Sequence, residues 1–355
     1  MNEAIDWAFA ERVARRCSGS GPFSEPAVRA SLQASYAELT VEAERHVTDE
    51  TGLVSLIGPA RAQVTDRSGW VGANVQSFRR LLRPLTDKLG DGRSARMQPV
   101  SSKVGATQFG LLLGWMSTRV LGQYDLLVVE DDRADEQDLV YYVGPNLLAM
   151  ERRYAFPADE FRLWVALHEC THRAQFTGVG WLRPYFIAQV HELLDSVDPE
   201  ATHLAESVRR AVADVRSGRR PLDRGGLAGV FATPQQQVVL DRLGGLMSLL
   251  EGHGEVVMNR AAAGLVPNAW RFERVLKTRR DAARGVSRLL NRLLGFEAKM
   301  NQYAEGERFI LAVEAQGGRA LFDRVWEGAE WLPTLTEIRS PEQWIDRAAP
   351  AGVAT

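Results

Sequence analysis

The sequence predicts a mainly helical α+β protein. Apolar residues recur at three- and four-residue spacing along most of the chain. β-type runs are confined to a short stretch near the middle. Turn-rich breaks such as Gly58-Pro59 and Gly90-Asp91-Gly92 separate the helical segments. With 355 residues the chain suffices for one large domain or two intimate ones, and it can bury a core without disulfide or metal staples.

Residues 3 to 17 read as an amphipathic helix carrying Ile5, Ala8, Phe9 and Val13, ended by Ser18-Gly19-Ser20-Gly21-Pro22. Helical segments follow at 26–48, 70–89 and 106–121, and in the second of these Trp70, Val71, Asn74, Phe78, Leu81 and Leu82 form a core-facing set. The pattern then changes. Asp125-Leu126-Leu127-Val128-Val129-Glu130 and Asp138-Leu139-Val140-Tyr141-Tyr142-Val143 read as strands joined by an acidic, solvated loop at 130–136, and Gly144-Pro145-Asn146 closes the second. Helical periodicity resumes at 157 and again at 185–216, with a polar connection at 217–226. Trp270 to Leu294 is a long basic amphipathic helix whose arginines read as a solvated face, and the final residues 346–355 read as a frayed tail.

The balance of 43 basic and 45 acidic side chains, net charge -2, sets up no global field toward nucleic acid or an anionic membrane. No uninterrupted apolar run approaches bilayer-spanning length, and the start lacks the basic and apolar regions of a secretory signal. Cys17 and Cys170 are far apart and form no CxxC pair, which fits a reducing compartment. Together these point to a soluble, cytoplasmic protein with a specific pocket and with neither nucleic-acid nor membrane partners.

The most informative stretch is Leu163-Trp164-Val165-Ala166-Leu167-His168-Glu169-Cys170-Thr171-His172. On a helix, His-Glu-x-x-His places two imidazoles one turn apart on one face with a carboxylate beside them. That is the ligand pair and general base of a zinc hydrolase of the metalloprotease type. Pro157, Asp159 and Glu160 supply the preferred first turn, and Phe161, Trp164, Val165, His168 and His172 continue one inward stripe. Two histidines and a glutamate are hard to satisfy in an apolar interior without a cation. Cys170 points to the opposite side of the helix and is not expected to be a ligand.

A catalytic zinc needs a third protein ligand. Leu240, Gly244, Met247, Glu251, Gly254 and Met258 share one face of a later helix, so Glu251 is a carboxylate on an otherwise small or apolar stripe. The glycines around it allow close approach of another helix. Glu255, one turn on, is the alternative ligand or an orienting neighbour of a histidine, while His253 points away from Glu251 and reads as supporting or structural.

These residues resemble the gluzincin branch of the zincins, in which His-Glu-x-x-His is completed by a glutamate just before a glycine, here Glu251-Gly252. The chain is similar over most of its length to a family of zinc-dependent hydrolases labelled as associated with deazaflavin-coenzyme biosynthesis. That likeness rests on Trp70-Val71 with Asn74, on His168 to Phe176, on Leu250-Glu251-Gly252-His253, on Lys299 with Gln302-Tyr303 and Gly306, and on Trp331-Leu332-Pro333-Thr334. The resemblance implies a zincin-like metalloprotease fold. In such folds the strand before the motif helix is often a sheet edge that pairs with substrate, which makes Tyr141, Tyr142, Val143, Gly144 and Asn146 a candidate substrate rail. It also makes Tyr303 a candidate donor to a developing oxyanion. No Gly-x-Gly-x-x-Gly fingerprint follows a strand, so no flavin- or nucleotide-binding expectation arises.

The organisation expected is therefore a helical N-terminal region, 1–122, packed on a zincin-like catalytic region, 123–345. The function expected is zinc-dependent hydrolysis of a peptide or other amide, with His168, His172 and Glu251 binding zinc and Glu169 activating a zinc-bound water. The alternatives are a zinc-containing scaffold with a closed or peptidase-silent cleft, and a non-peptide amide hydrolase.

Overall fold

The protein is described here by a computed structural model, which covers residues 5–19, 23, 25–90, 98–126, 138–196, 233–281 and 296–349. In chain order the described elements are α1 (Trp7–Ser18), α2 (Pro26–Thr51), β1 (Arg61–Thr65), α3 (Arg67–Leu81), α4 (Arg83–Gly90), α5 (Gln98–Ser117), β2 (Gly122–Tyr124), β3 (Leu139–Val143), α6 (Gly144–Tyr154), α7 (Ala158–Gly178) and α8 (Leu182–Asp195). They continue with α9 (Pro234–Ala261), α10 (Ala269–Asp281), α11 (Phe296–Asp323), two short 3-10 turns (Arg324–Trp326 and Ala329–Trp331), α12 (Leu335–Arg339) and α13 (Pro341–Ala348). The fold is mainly helical with one small sheet, the class read from the sequence. The acidic loop at 130–136, His203, the connection at 217–226 and the basic segment beyond Asp281 lie outside the described residues. No described helix is long and apolar enough to cross a membrane.

Two compact units divide the chain, Met1–Gly178 with Val257–Phe272, and Val179–Val256 with Glu273–Thr355.

In the first unit the sheet order is β1-β3-β2. β1 pairs parallel to β3, Arg61 opposite Leu139 and Thr65 opposite Val143, and β2 pairs antiparallel to it, Gly122 opposite Tyr142 and Tyr124 opposite Val140. Two further bonds, Asp125 N to Leu139 O at 3.1 Å and Val143 N to Leu121 O at 2.8 Å, extend the pairing on the β2 side. The outer edge of β1 is closed by a side chain. The Gln33 amide donates to Ala62 O at 2.9 Å and its carbonyl accepts from Val64 N at 2.7 Å, so one glutamine satisfies an edge that would otherwise invite pairing.

Trp7, Ala14, Trp70, Val71, Val75, Leu113 and Val143 form a buried cluster that joins α1, α3 and α5 to the sheet. The segment expected as one helix over 70–89 is two, because Pro84 has no N–H to continue the ladder through Leu82 and Arg83. Gly144-Pro145-Asn146 does not merely close β3; it is the first turn of α6, where the proline takes a position whose N–H has no helical partner. The strand expected at 125–130 begins earlier, as β2, and 127–130 lies outside the described residues. β1 carries no sequence expectation here. Its Arg61-Ala62-Gln63-Val64-Thr65 has one strongly apolar residue and is extended because β3 and Gln33 pair with it.

In the second unit Phe309, Ile310, Val313, Val325, Ile338 and Trp344 are buried. Thr334 and Glu337 form a capping box at the start of α12, and Trp344 Nε1 donates to Trp331 O at 2.7 Å. These bonds give Trp331 to Thr334 a physical role as the turn that seats the last two helices. The stretch expected to fray from 346 starts as packed helix, since Ala348 at the end of α13 is fully buried. α9, up to Val256, meets α11 at a crossing with no room for side chains. A β-carbon on Gly306 would lie 1.9 Å from Ser248 O, and one on Gly252 would lie 2.3 Å from the Gly306 backbone. Glu251 sits beside that crossing, so its position along the unit is set by backbone contact.

Candidate metal centre

The motif helix α7 opens on Asp159 and Glu160 in its first turn. Glu160 does more than meet the helix dipole, because its carboxylate accepts from Asn268 N at 2.9 Å and from Asn268 Nδ2 at 3.0 Å. One turn on, Phe161 and Trp164 pack against Phe272 at centroid distances of 5.3 and 6.0 Å. The stripe that begins in this aromatic cluster runs through buried Val165 to His168 and His172, both half-buried.

The opposite face of α7 is structural. Cys170 is buried with Sγ 3.6 Å from Thr40 O, and burial pushes its thiol far above the ordinary range. Arg173 is almost wholly enclosed. Its guanidinium meets Asp138 through Nε at 3.0 Å and Nη2 at 2.6 Å, pairs with Glu44, and donates from Nη2 to Gly58 O at 2.7 Å and Ser55 Oγ at 3.2 Å. Asp138 reaches this geometry from a left-handed backbone, φ 55°, just before β3. One cation therefore fixes α7 to α2, to the loop after it and to the head of β3.

On the functional face, His168 Nε2 and His172 Nε2 stand 3.2 Å apart, with the rings nearly perpendicular at 87°. His172 Nδ1 lies 3.0 Å from Gln175 Oε1, so the amide oxygen accepts from Nδ1–H and Nε2 is the nitrogen turned toward His168. Glu251 is buried. The imidazole pair fits zinc in type and spacing. Two Zn–N bonds of about 2.0–2.1 Å meeting near the tetrahedral angle put their nitrogens about 3.3 Å apart, close to the observed imidazole separation.

Glu169 is buried between the two histidines in sequence and packs against β2, with no room for a side chain at Gly122. His253 packs between Phe322 and Trp326, at centroid distances of 5.6 and 5.0 Å, so it is an aromatic core residue of the second unit. Tyr303 lies on α11, and its side chain is outside the described residues.

The substrate rail is corrected by the topology. β3 is the central strand, with β1 on one side and β2 on the other, so its backbone groups are already paired and cannot receive an extended substrate. Its side chains are committed as well. Tyr142 is fully buried, stacks on Tyr36 at 3.9 Å and shares a 2.8 Å hydrogen bond with Thr40, and Val143 belongs to the core cluster. Gly144 abuts the Phe23 ring, and Asn146 donates to Ser117 O at 2.8 Å and Val120 O at 2.6 Å while accepting from Arg67 Nε at 2.8 Å. The strand order is what sequence could not supply, since two runs of β-type residues carry no statement of a third strand elsewhere. Two residues were missed outright. Gln175 could have been found from its place three residues after His172 on the same face. Gly122 gave no periodic signal.

A family model described as zincin-like metallopeptidase matches residues 5–345. The chain belongs to the zincin-like metallopeptidase family. The zincin-like chain is also similar to a solved structure, that of a candidate hydrolase with a novel fold from Chloroflexus aurantiacus, at 33% identity and a TM-score of 0.70. That likeness covers 97% of this chain and 98% of the other. No curated protein matches.

If His172 is oriented by Gln175, a Gln175→Leu substitution should weaken zinc affinity by about 10–100-fold while leaving the melting temperature of the metal-free protein near the wild-type value. Competition with a chromogenic chelator measures the first quantity, and an unchanged affinity would remove Gln175 from the site.

Proposed function

We propose that this zincin-like protein is a zinc-dependent amide hydrolase, a peptidase in the first instance, with His168, His172 and Glu251 as metal ligands and Glu169 as general base. The observation that carries the reading is the pair of imidazole nitrogens 3.2 Å apart on one face of α7, with the buried Glu169 carboxylate next to His168 in sequence. Family membership supports the same chemistry.

Zinc bound there would polarise a carbonyl and lower the pKa of a water. The protein's own groups supply the rest. Gln175 keeps His172 in the tautomer that offers Nε2. Glu169, one residue from His168 on the same turn, accepts the proton of the attacking water and returns it to the leaving amine. The absence of any thiol from the donor set, with Cys170 turned away and enclosed, matches a catalytic site better than a closed structural one. A cytoplasmic setting agrees with the two free cysteines.

The test is metal analysis of the purified full-length chain followed by digestion of a broad peptide library and a panel of small non-peptide amides. Zinc content with cleavage that a chelator abolishes supports the reading. Zinc content with neither peptide nor amide turnover would favour a zinc-containing scaffold. Turnover of the small amides alone would assign the chemistry to metabolite hydrolysis, the setting in which the deazaflavin-coenzyme resemblance would belong.

A further inference from the structure

β2 is three residues long, and its first residue touches the proposed base. A β-carbon at Gly122 would lie 2.6 Å from Glu169 Cγ, 2.7 Å from Oε1 and 2.8 Å from Cδ. Gly122 does not have the positive φ that glycine alone tolerates, so its backbone accepts other residues and only space forbids them. A clash of this kind is relieved by whichever side moves more easily. Here one side is the end of a flexible glutamate and the other is backbone.

That backbone is unusually well held. Trp70 Nε1 donates to Gln123 Oε1 at 2.7 Å, Gln123 Nε2 donates to Asn74 Oδ1 at 3.1 Å, and Asn74 Nδ2 returns to Trp70 O at 2.9 Å. This closed set of bonds anchors the residue next to Gly122. Asn146 clamps Ser117 O and Val120 O just upstream, and β3 pairs along the strand. Trp70 and Asn74 thereby acquire a role beyond core filling. They hold a strand whose bare position faces Glu169.

We propose that Gly122 is a positioning residue for Glu169, with the Trp70–Gln123–Asn74 set fixing β2 as the wall against which the carboxylate lies. The inference rests on the reading of Glu169 as general base. A side chain at 122 pushes the carboxylate off its place while leaving His168, His172 and Glu251 untouched. A misplacement of about 1 Å at a reacting group costs on the order of 10²-fold in turnover.

The experiment uses cobalt(II) in place of zinc on the full-length chain, and follows visible absorption against pH for the wild type, Gly122→Ala and Glu169→Gln, with melting curves for Gly122→Ala, Glu169→Ala and the double variant. Gly122→Ala should bind cobalt with wild-type affinity and shift the midpoint of the absorption change in the same direction as Glu169→Gln. Its melting temperature should fall in the Glu169 background and recover in the Glu169→Ala background, where the clash has been removed. A wild-type midpoint in Gly122→Ala beside a shifted one in Glu169→Gln overturns the positioning role alone. A wild-type midpoint in Glu169→Gln overturns the base assignment and the positioning role with it. Should Gly122→Ala fail to fold, a folded double variant supports the contact, and failure of both variants to fold overturns it.

Discussion

Glu169→Gln is expected to retain wild-type zinc content and to lose about 10²–10⁴-fold in turnover on every amide the wild type cleaves. The substitution is nearly isosteric, so the side chain still fills the buried space beside Gly122 and the helix keeps its packing. What changes is proton chemistry alone. A carboxamide cannot take the proton of the attacking water, and it cannot carry one to the leaving amine. The ligands are other residues, so the metal should stay. Metal analysis and kcat/KM across pH, on the same preparations, separate these quantities. Activity within a few-fold of wild type would remove Glu169 from the base role, and loss of zinc together with activity would make it a ligand or a structural support.

Arg173→Met should destabilise the chain by about 3–5 kcal/mol, an effect set by what it leaves behind. The Arg173 side chain is 2% exposed and its partners Asp138 and Glu44 are 12% and 22% exposed. Removing the cation strands two carboxylates in a poorly solvated pocket and leaves Gly58 O without its donor. Replacing all three by apolar residues is expected to cost far less, because no buried charge remains. Urea unfolding of the single and triple variants, read as a midpoint at constant slope, distinguishes the two situations. Equal losses would show that Arg173 contributes packing and that its charge is incidental. The position also matters to the site, since Arg173 follows His172 directly and ties the motif helix to the loop at 52–60.

The legible parts of the molecule are those where a periodic pattern and a chemical requirement coincide. His168 and His172 could be placed because a 3.6-residue repeat puts them at the end of the stripe begun by Phe161 and Trp164, and Glu251 because a carboxylate on a small, apolar face needs a partner. The preference for Glu251 over Glu255 rests on the same face. The sheet was legible only in part. β3 announced itself through Leu139 to Val143, yet its central place depends on β1, whose residues are too polar to declare a strand, and on β2, which is too short. The rail at Tyr141 to Asn146 failed for that reason, not through any error about the local conformation of β3. Gly122 was invisible because a residue that matters by having no side chain leaves no pattern. The blocks at Trp70, Asn74, Gly306 and Trp331 to Thr334 pointed to a family without a mechanism, and their roles lie in bonds 49 and 53 residues apart in sequence at Trp70 and Asn74, a helix crossing at Gly306, and the capping box and Trp344 bond at Trp331 to Thr334.

The central claim is that two imidazoles and one carboxylate hold a catalytic zinc. Zinc K-edge X-ray absorption on the purified full-length chain tests it most directly. Expected are a first shell of nitrogen and oxygen at about 2.0–2.2 Å, with the multiple-scattering signature of two imidazoles, and loss of bound zinc in Glu251→Ala. A sulfur contribution at about 2.3 Å, or full zinc retention in Glu251→Ala, would contradict it.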